Sequence, residues 1–305
     1  MPTSFRGITR REGMLVEGPA GWAEFSPFLD YSPAECVPWL RAALDSAERA
    51  WPAPVRDRVP VNCTVPAVDP ERAADVVRAS GCGTAKVKVA ERGQDLAADV
   101  ARVEAVRDAL GPSGRVRVDA NGGWDVDTAV RAVTALDRAA GGLEYVEQPC
   151  ASVEELAAVR RRVDVPVAAD ESIRRADDPY RVVALEAADV AVLKVQPLGG
   201  VHACLEIAER IGLPVVVSSA VDTSIGLAAG LAVAAALPEL PHACGLATTS
   251  LLAGDVVAEP LRPVDGTLPV GRTEVDPVAL AAVAADPATD ARWHARLAAV
   301  QECMS

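Results

Sequence analysis

The chain has 305 residues, half of them hydrophobic and only 4% aromatic, with a formal net charge of -13. This composition excludes a disordered protein and is sufficient for one large α/β barrel or two ordinary domains with well-buried cores. The acidic balance argues against a nucleic-acid partner, since polyphosphate needs a cationic face and no basic run exceeds Arg160-Arg161-Arg162, which reads as a solvated helix end.

The first segment, Met1 to Gly13, carries several Arg and no apolar core, so it does not resemble a signal peptide. Two short strands, Met14–Glu17 and Trp22–Phe25, are expected to form a hairpin through Gly18-Pro-Ala-Gly21, followed by a helix from about Pro33 to Ala50. From Val59 onward, β-branched runs alternate with helical segments at a spacing of roughly 25 residues, as in repeated βα units. The strand candidates are Val61–Pro66, Thr84–Val89, Arg115–Ala120, Leu143–Pro149, Val165–Glu171, Val190–Gln196, Val215–Ala220 and His242–Thr248. Helix starts between them are marked. Asp69-Pro70-Glu71 supplies an N-cap with Pro at the first helical position, and Ser152-Val-Glu-Glu155 reads as a capping box.

The apolar stretch Ile225–Leu237 is too short to span a bilayer and reads as a buried helix, so no membrane partner is expected. Gly199-Gly200 reads as a tight βα turn, because no complete phosphate-binding loop surrounds it. Residues 254–305 hold a Pro/Gly-punctuated extended part and an Ala-rich helix. The seven cysteines are scattered without a CxxC pair, which points to small core residues in a reducing cytoplasm. The expected architecture is α/β: a (β/α)8 TIM-type barrel over residues 59–254, with a small α+β capping domain formed from both chain ends, 1–58 and 255–305.

Of the thirty basic residues only three are lysines, and all three lie in apolar strand-like runs: Lys86, Lys88 and Lys194. Arginine stays charged at any working pH, whereas burial and neighbouring charge can neutralise a lysine, so this distribution suggests sites that need a removable proton. Carboxylates stand at the carboxyl ends of three successive strands: Asp119, Glu147 and Asp170, separated by 28 and then 23 residues. Acidic groups converging at a barrel mouth repel one another unless a divalent cation lies between them, and oxygen ligation selects a hard ion such as Mg²⁺. Lys86 and Lys88 share one strand face a unit before the first carboxylate, and Lys194 lies a unit after the last. A substrate carboxylate on the metal would thus present its α-carbon between opposed amines. Lys86 by itself reads as an ion-paired residue.

The set Lys86-Val-Lys88, Asp119-Ala-Asn121, Glu147-Gln-Pro149, Asp170-Glu-Ser172 and Lys194, in this order, resembles the enolase superfamily within its muconate-lactonising subgroup. The resemblance covers Val59 to Asp255. It implies that Asp119, Glu147 and Asp170 bind Mg²⁺, that Lys88 and Lys194 are the acid/base residues, and that Lys86 supports Lys88. It also implies that Asn121 and Glu171 hold ligands and lysines in place, and that Ser218 and Ser219 border the substrate. Stretches Arg10–Leu15, Gly21–Phe28, Ser218–Gly226 and Cys244–Thr248 resemble those of dehydratases in the subgroup, which remove a proton α to a carboxylate and expel a β-hydroxyl. The substrate is then a small carboxylate. The N-terminal flank is shorter than the family's usual cap. An N-acylamino acid racemase would use the same metal and lysines. Dipeptide epimerases resemble the chain less, since Gly245–Thr248 lacks their Asp-x-Asp pair. A catalytically silent barrel acting as a binding protein is the third reading. The oligomeric state is left open.

Overall fold

In the computed structural model, which describes residues 1, 3, 5, 7–174 and 179–304, the N-terminal hairpin pairs β1 (Met14–Gly18) with β2 (Gly21–Phe25). Helix α1 (Pro33–Glu48) follows, with Ser32 and Glu35 forming a capping box. After β3 (Arg58–Pro60) come the repeated units: β4 (Cys63–Val65), α2 (Pro70–Ser80), β5 (Thr84–Lys88), α3 (Leu96–Leu110), β6 (Arg115–Asp119), α4 (Val126–Ala140), β7 (Leu143–Glu147), α5 (Val153–Arg160), β8 (Val167–Ala169) and the single turns α6 (Glu171–Arg174) and α7 (Arg181–Ala184). The series continues through β9 (Val190–Lys194), α8 (Val201–Ile211), β10 (Val215–Ser218) and α9 (Ser224–Ala236). The tail holds β11 (Thr267–Pro269), α10 (Pro277–Val283) and α11 (Pro287–Glu302).

Strands β4 to β10 form one parallel sheet in sequential order. It closes through a minimal eighth strand: Cys244 bridges Val61 and Gly245 bridges Ser218, both in parallel. The backbone bonds are regular, with Cys244 N donating to Pro60 O at 2.7 Å and Gly245 N to Val217 O at 2.8 Å. The expected strand His242–Thr248 is therefore corrected to two laddered residues. Pro241 cannot donate to a ladder, the His242 ring is engaged by Glu144 at 2.9 Å, and Thr248 already begins a 3-10 turn ending at Leu251. Gly245 permits the closure, because a Cβ there would lie 2.5 Å from Ser218 Oγ.

The helix starts follow their side chains. Asp69 accepts from Arg72 N at 2.9 Å, and Ser152 with Glu155 forms the capping box of α5. Alternation along the strands divides two cores. Inward positions carry Tyr145, Ala168, Val190, Val192 and Val216, while outward residues such as Ala85, Val87, Val116 and Val118 pack under the helices. Gly199 N bonds Gln196 O at 3.3 Å and Gly200 N bonds Val195 O at 3.0 Å, a tight turn into α8. Helix α9 is almost wholly buried, and among the described residues no helix is long and apolar enough to cross a membrane. Six cysteines are buried, but Cys303, at the end of α11, is exposed, since its helix turns that edge to solvent.

The two chain ends meet. Helix α11 lies on α1, where Trp293 is buried edge-on against Phe25 with ring centroids 5.9 Å apart, and its indole N–H donates to Glu12 at 2.9 Å. Strand β11 pairs antiparallel with β3. Trp293→Ala should lower stability by about 3–5 kcal/mol, the cost of truncating a buried aromatic. Urea unfolding measures this directly, and a change below about 1 kcal/mol would mean that α11 is not part of the folded core.

Candidate active site

The site is built on the strand register. Lys88 lies opposite Asp119 and Asp119 opposite Glu147 on neighbouring strands, and Asp170 immediately follows β8. With period-two alternation, Lys86 and Lys88 both point inward while Ala85 and Val87 face the helices. Asp119, Glu147 and Asp170 are each fully buried at the barrel mouth.

Every carboxylate in this row is met by a cation. Lys86 Nζ donates to both Glu147 oxygens, at 2.7 and 2.9 Å, and lies 3.4 Å from Asp119. Lys88 donates to Asp119 and, at 2.8 Å, to Asn121 Oδ1. Lys194 Nζ reaches Asp170 Oδ2 at 2.7 Å, and Arg174 Nε takes Asp170 Oδ1 at 3.0 Å. Burial alone would depress the Lys86 ammonium, yet Glu147 and Asp119 outweigh it and hold its pKa above the ordinary value. For Lys88 burial wins, and its pKa lies below that of an ordinary lysine despite Asp119. Burial and then Asp119 push Glu147 up to about 7. Asp170, although buried, is drawn down to about 2 by Arg174 and Lys194.

Asn121, Glu171, Ser218 and Ser219 lie around this row. Asn121, in the left-handed region at φ 46°, donates its backbone N–H to Asp119 Oδ1 at 3.0 Å and its amide to Glu171 at 3.1 Å. Gln148 accepts from the backbone N–H groups of Asp170 and Ser172, at 3.0 and 3.1 Å, which fixes the β8 exit. Ser218 donates to Gly245 O at 3.3 Å, and Ser219 pairs with Thr248 Oγ1 at 2.6 Å. Above the mouth is a cavity of about 630 Å³ bordered by both lysine strands, Ser218, Ser219 and the cap residues Phe28 and Tyr31.

Among its polar groups, Arg174 and Tyr31 lie outside the sequence expectations, and Arg11 enters them only within the stretch Arg10–Leu15. Arg174 binds Asp170, Glu171 at 2.6 Å and the Tyr31 hydroxyl, thereby joining cap to barrel. Its signal was its place four residues after Asp170, on the same helical turn. Arg11 and Tyr31 belong to cap segments whose contacts are set by tertiary docking.

Among the described residues no three His, Cys, Asp or Glu side chains are gathered into a ligand shell, because each carboxylate is turned to its own amine. The donor set nonetheless suits a hard divalent cation: oxygen donors only, on adjacent strand ends, with the Glu147 pKa raised by burial and by the charge of Asp119. A cation among them would relieve that repulsion.

Residues 69–274 match the family model described as "Enolase C-terminal domain-like", and residues 1–47 match "Enolase N-terminal domain-like". An o-succinylbenzoate synthase from Thermobifida fusca (strain YX) is 69% identical over 299 residues, covering 98% of this chain and 93% of that protein. Another, from Mycolicibacterium smegmatis, is 59% identical over 300 residues, covering 98% and 92% respectively. Among solved structures, a dipeptide epimerase from Enterococcus faecalis V583, in complex with Mg and the dipeptide L-Leu-L-Tyr, superposes with a TM-score of 0.70 at 24% identity, covering 86% of this chain and 89% of that one.

Removing Lys86 alone leaves Glu147 and Asp119 facing each other in the interior. Lys86→Met should therefore destabilise the metal-free protein by about 3–5 kcal/mol, the usual cost of breaking one side of a buried pair. In a double-mutant cycle, Glu147→Gln should recover a large part of that loss. Additive losses in chemical denaturation would contradict the pairing.

Proposed function

The chain belongs to the enolase superfamily, and from that membership we propose that it dehydrates 2-succinyl-6-hydroxy-2,4-cyclohexadiene-1-carboxylate to 2-succinylbenzoate, the o-succinylbenzoate synthase reaction of menaquinone biosynthesis. The observation that carries the reading is the arrangement of two lysines, Lys88 and Lys194, on either flank of three buried carboxylates beneath a cavity of about 630 Å³. Residues 1–58 and 255–305 are read as one cap over the barrel at 59–254, supported by the packing of α11 on α1.

Asp119, Glu147 and Asp170 would hold Mg²⁺, which when bound supplies the positive charge that stabilises the substrate carboxylate as its α-proton leaves. The chain's own groups do the proton work. Lys88, unprotonated, takes the proton from ring carbon 1, and the C–H electron pair moves into the carboxylate as an enediolate. The pair then returns to form the double bond between carbons 1 and 6, the carbon 6–oxygen bond breaks, and Lys88 returns its proton to the departing hydroxyl. Water leaves and the ring becomes aromatic. Lys194, on the opposite flank, stays protonated and faces the developing negative charge. Asp119 and Asn121 orient Lys88, and the barrel interior depresses its pKa, so that the free amine is present at lower pH than in water.

The direct test is an assay of the purified protein with Mg²⁺ on the cyclohexadiene beside N-succinylamino acids. A higher kcat/KM on the N-succinylamino acids would move the chain to the racemase reading. Chelation should abolish turnover and Mg²⁺ should restore it, whereas rescue by Zn²⁺ alone would contradict the oxygen-donor assignment. Lys88→Arg should lower kcat by about 10³-fold while leaving fold and metal binding intact, because guanidinium keeps the charge but cannot act as base. Lys194→Arg should retain most dehydration and lose any racemisation, which needs a second exchangeable amine. In the wild type, kcat/KM should fall on the acid side, with the limb displaced below the ordinary lysine range, because protonated Lys88 cannot accept the α-proton. A limb at the ordinary lysine pKa would remove Lys88 as the base.

A further inference from the structure

We infer that Arg11 binds the second carboxylate of the substrate, at the end of its succinyl chain, and so sets specificity for that chain; the inference rests on the substrate proposed above. Among the described residues, five other cations border the cavity, and each faces a carboxylate. Lys86 faces Glu147, Lys88 faces Asp119, and Lys194 and Arg174 share Asp170, while Arg10, 70% exposed, lies 3.9 Å from Glu12. Arg11 is different. Its partners are neutral: Nε donates to Val221 O at 3.2 Å, and Nη2 to Ser26 O at 2.7 Å and Ser26 Oγ at 3.0 Å. Nη1 makes no hydrogen bond among the described residues.

The guanidinium is also held in place. It lies 4.8 Å over the Phe28 ring and is fastened both to the exit of the β1–β2 hairpin and to the segment after β10. Glu24 and Asp222 act on it electrostatically but are bound elsewhere. Glu24 accepts from Ser26 Oγ at 2.5 Å, Thr223 N at 3.0 Å and Gly226 N at 3.2 Å, and Asp222 accepts from Gln196 at 2.8 Å and Ala220 N at 3.2 Å. Burial, and to a lesser degree Arg296, pulls the Arg11 pKa below its ordinary value against the pull of Glu24, Asp222 and Glu12, although a guanidinium remains protonated throughout.

A dicarboxylate needs two separate anion sites. The ring carboxylate must lie beside the reacting amines at β5 and β9, so the distal carboxylate needs a cation outside that arc, and Arg11 is anchored beyond β9, at the segment following β10. Its unengaged N–H pair on Nη1 gives a charge-assisted contact with fixed direction.

The test compares two ligands in the presence of Mg²⁺: 2-succinylbenzoate and 2-butanoylbenzoate, in which a methyl replaces the distal carboxylate. The wild type should bind the dicarboxylate about tenfold or more tightly than the monocarboxylate, as expected for one charged hydrogen bond. Arg11→Met should erase the difference by weakening only the dicarboxylate, Arg11→Lys should keep part of it, and Arg10→Met should leave it within about twofold. Equal wild-type affinities, or an Arg11→Met protein that loses both ligands alike, overturn the inference. If Arg11→Met does not fold, the wild-type ratio and Arg11→Lys decide, and a lysine variant weakened equally for both ligands counts against it. Failure of the functional reading has another signature: no dehydration of the cyclohexadiene, with the affinity difference intact.

Discussion

Three fully buried carboxylates on adjacent strand ends dominate the electrostatics of this barrel. Uncompensated, such a row would be untenable, since each charge loses its hydration and faces its neighbours through a low dielectric. The fold offsets it with Lys86, Lys88, Lys194 and Arg174, each placed by strand alternation or by the turn after β8. The compensation is uneven. Asp170, with two cations, is drawn down to about 2, while Glu147, which shares Lys86 with Asp119, is pushed up to about 7. That residual strain is what a divalent cation would remove, and it links the fold of the barrel to its proposed chemistry.

The amines differ for the same reason. Lys86 is engaged by two carboxylates and held in its charged form, whereas Lys88, two residues along, is depressed by burial and retains a path to the free base. Identical side chains on one strand face are thus shifted in opposite directions. The cap contributes a separate layer, in which Tyr31 meets Arg174 and the Arg11–Ser26 contact meets the segment after β10. Closure of the barrel depends on a smaller device, the absence of a Cβ at Gly245, which lets the chain approach Ser218 while Cys244 pairs with Val61.

Much of this was legible in the sequence because its signals are local. β-Branched runs bounded by caps such as Asp69 and Ser152 locate seven strands and their helices, and alternation places Lys86 and Lys88 on one face. The structure brings Lys86, Lys88, Asp119, Glu147, Asp170, Lys194, Asn121 and Glu171 into one connected network. The eighth strand was overextended, because its apolar pattern continues through residues that the chain uses for a turn and for contacts to Glu144 and Ser219. Tyr31 carries no signal of its own, and Arg11 only its place in the stretch Arg10–Leu15. Their roles come from contacts across long sequence separation, such as that between Tyr31 and Arg174, which no local pattern encodes.

The account turns on the link between Glu147 and a cation in the carboxylate row. Titrating the Glu147 carboxyl by carbon NMR, with and without Mg²⁺, tests that link most directly. The account predicts a midpoint of about 7 in the metal-free protein, and a fall to well below the ordinary carboxylate range once Mg²⁺ binds, because a nearby cation favours the charged form. A Glu147 midpoint that Mg²⁺ leaves unmoved would contradict it.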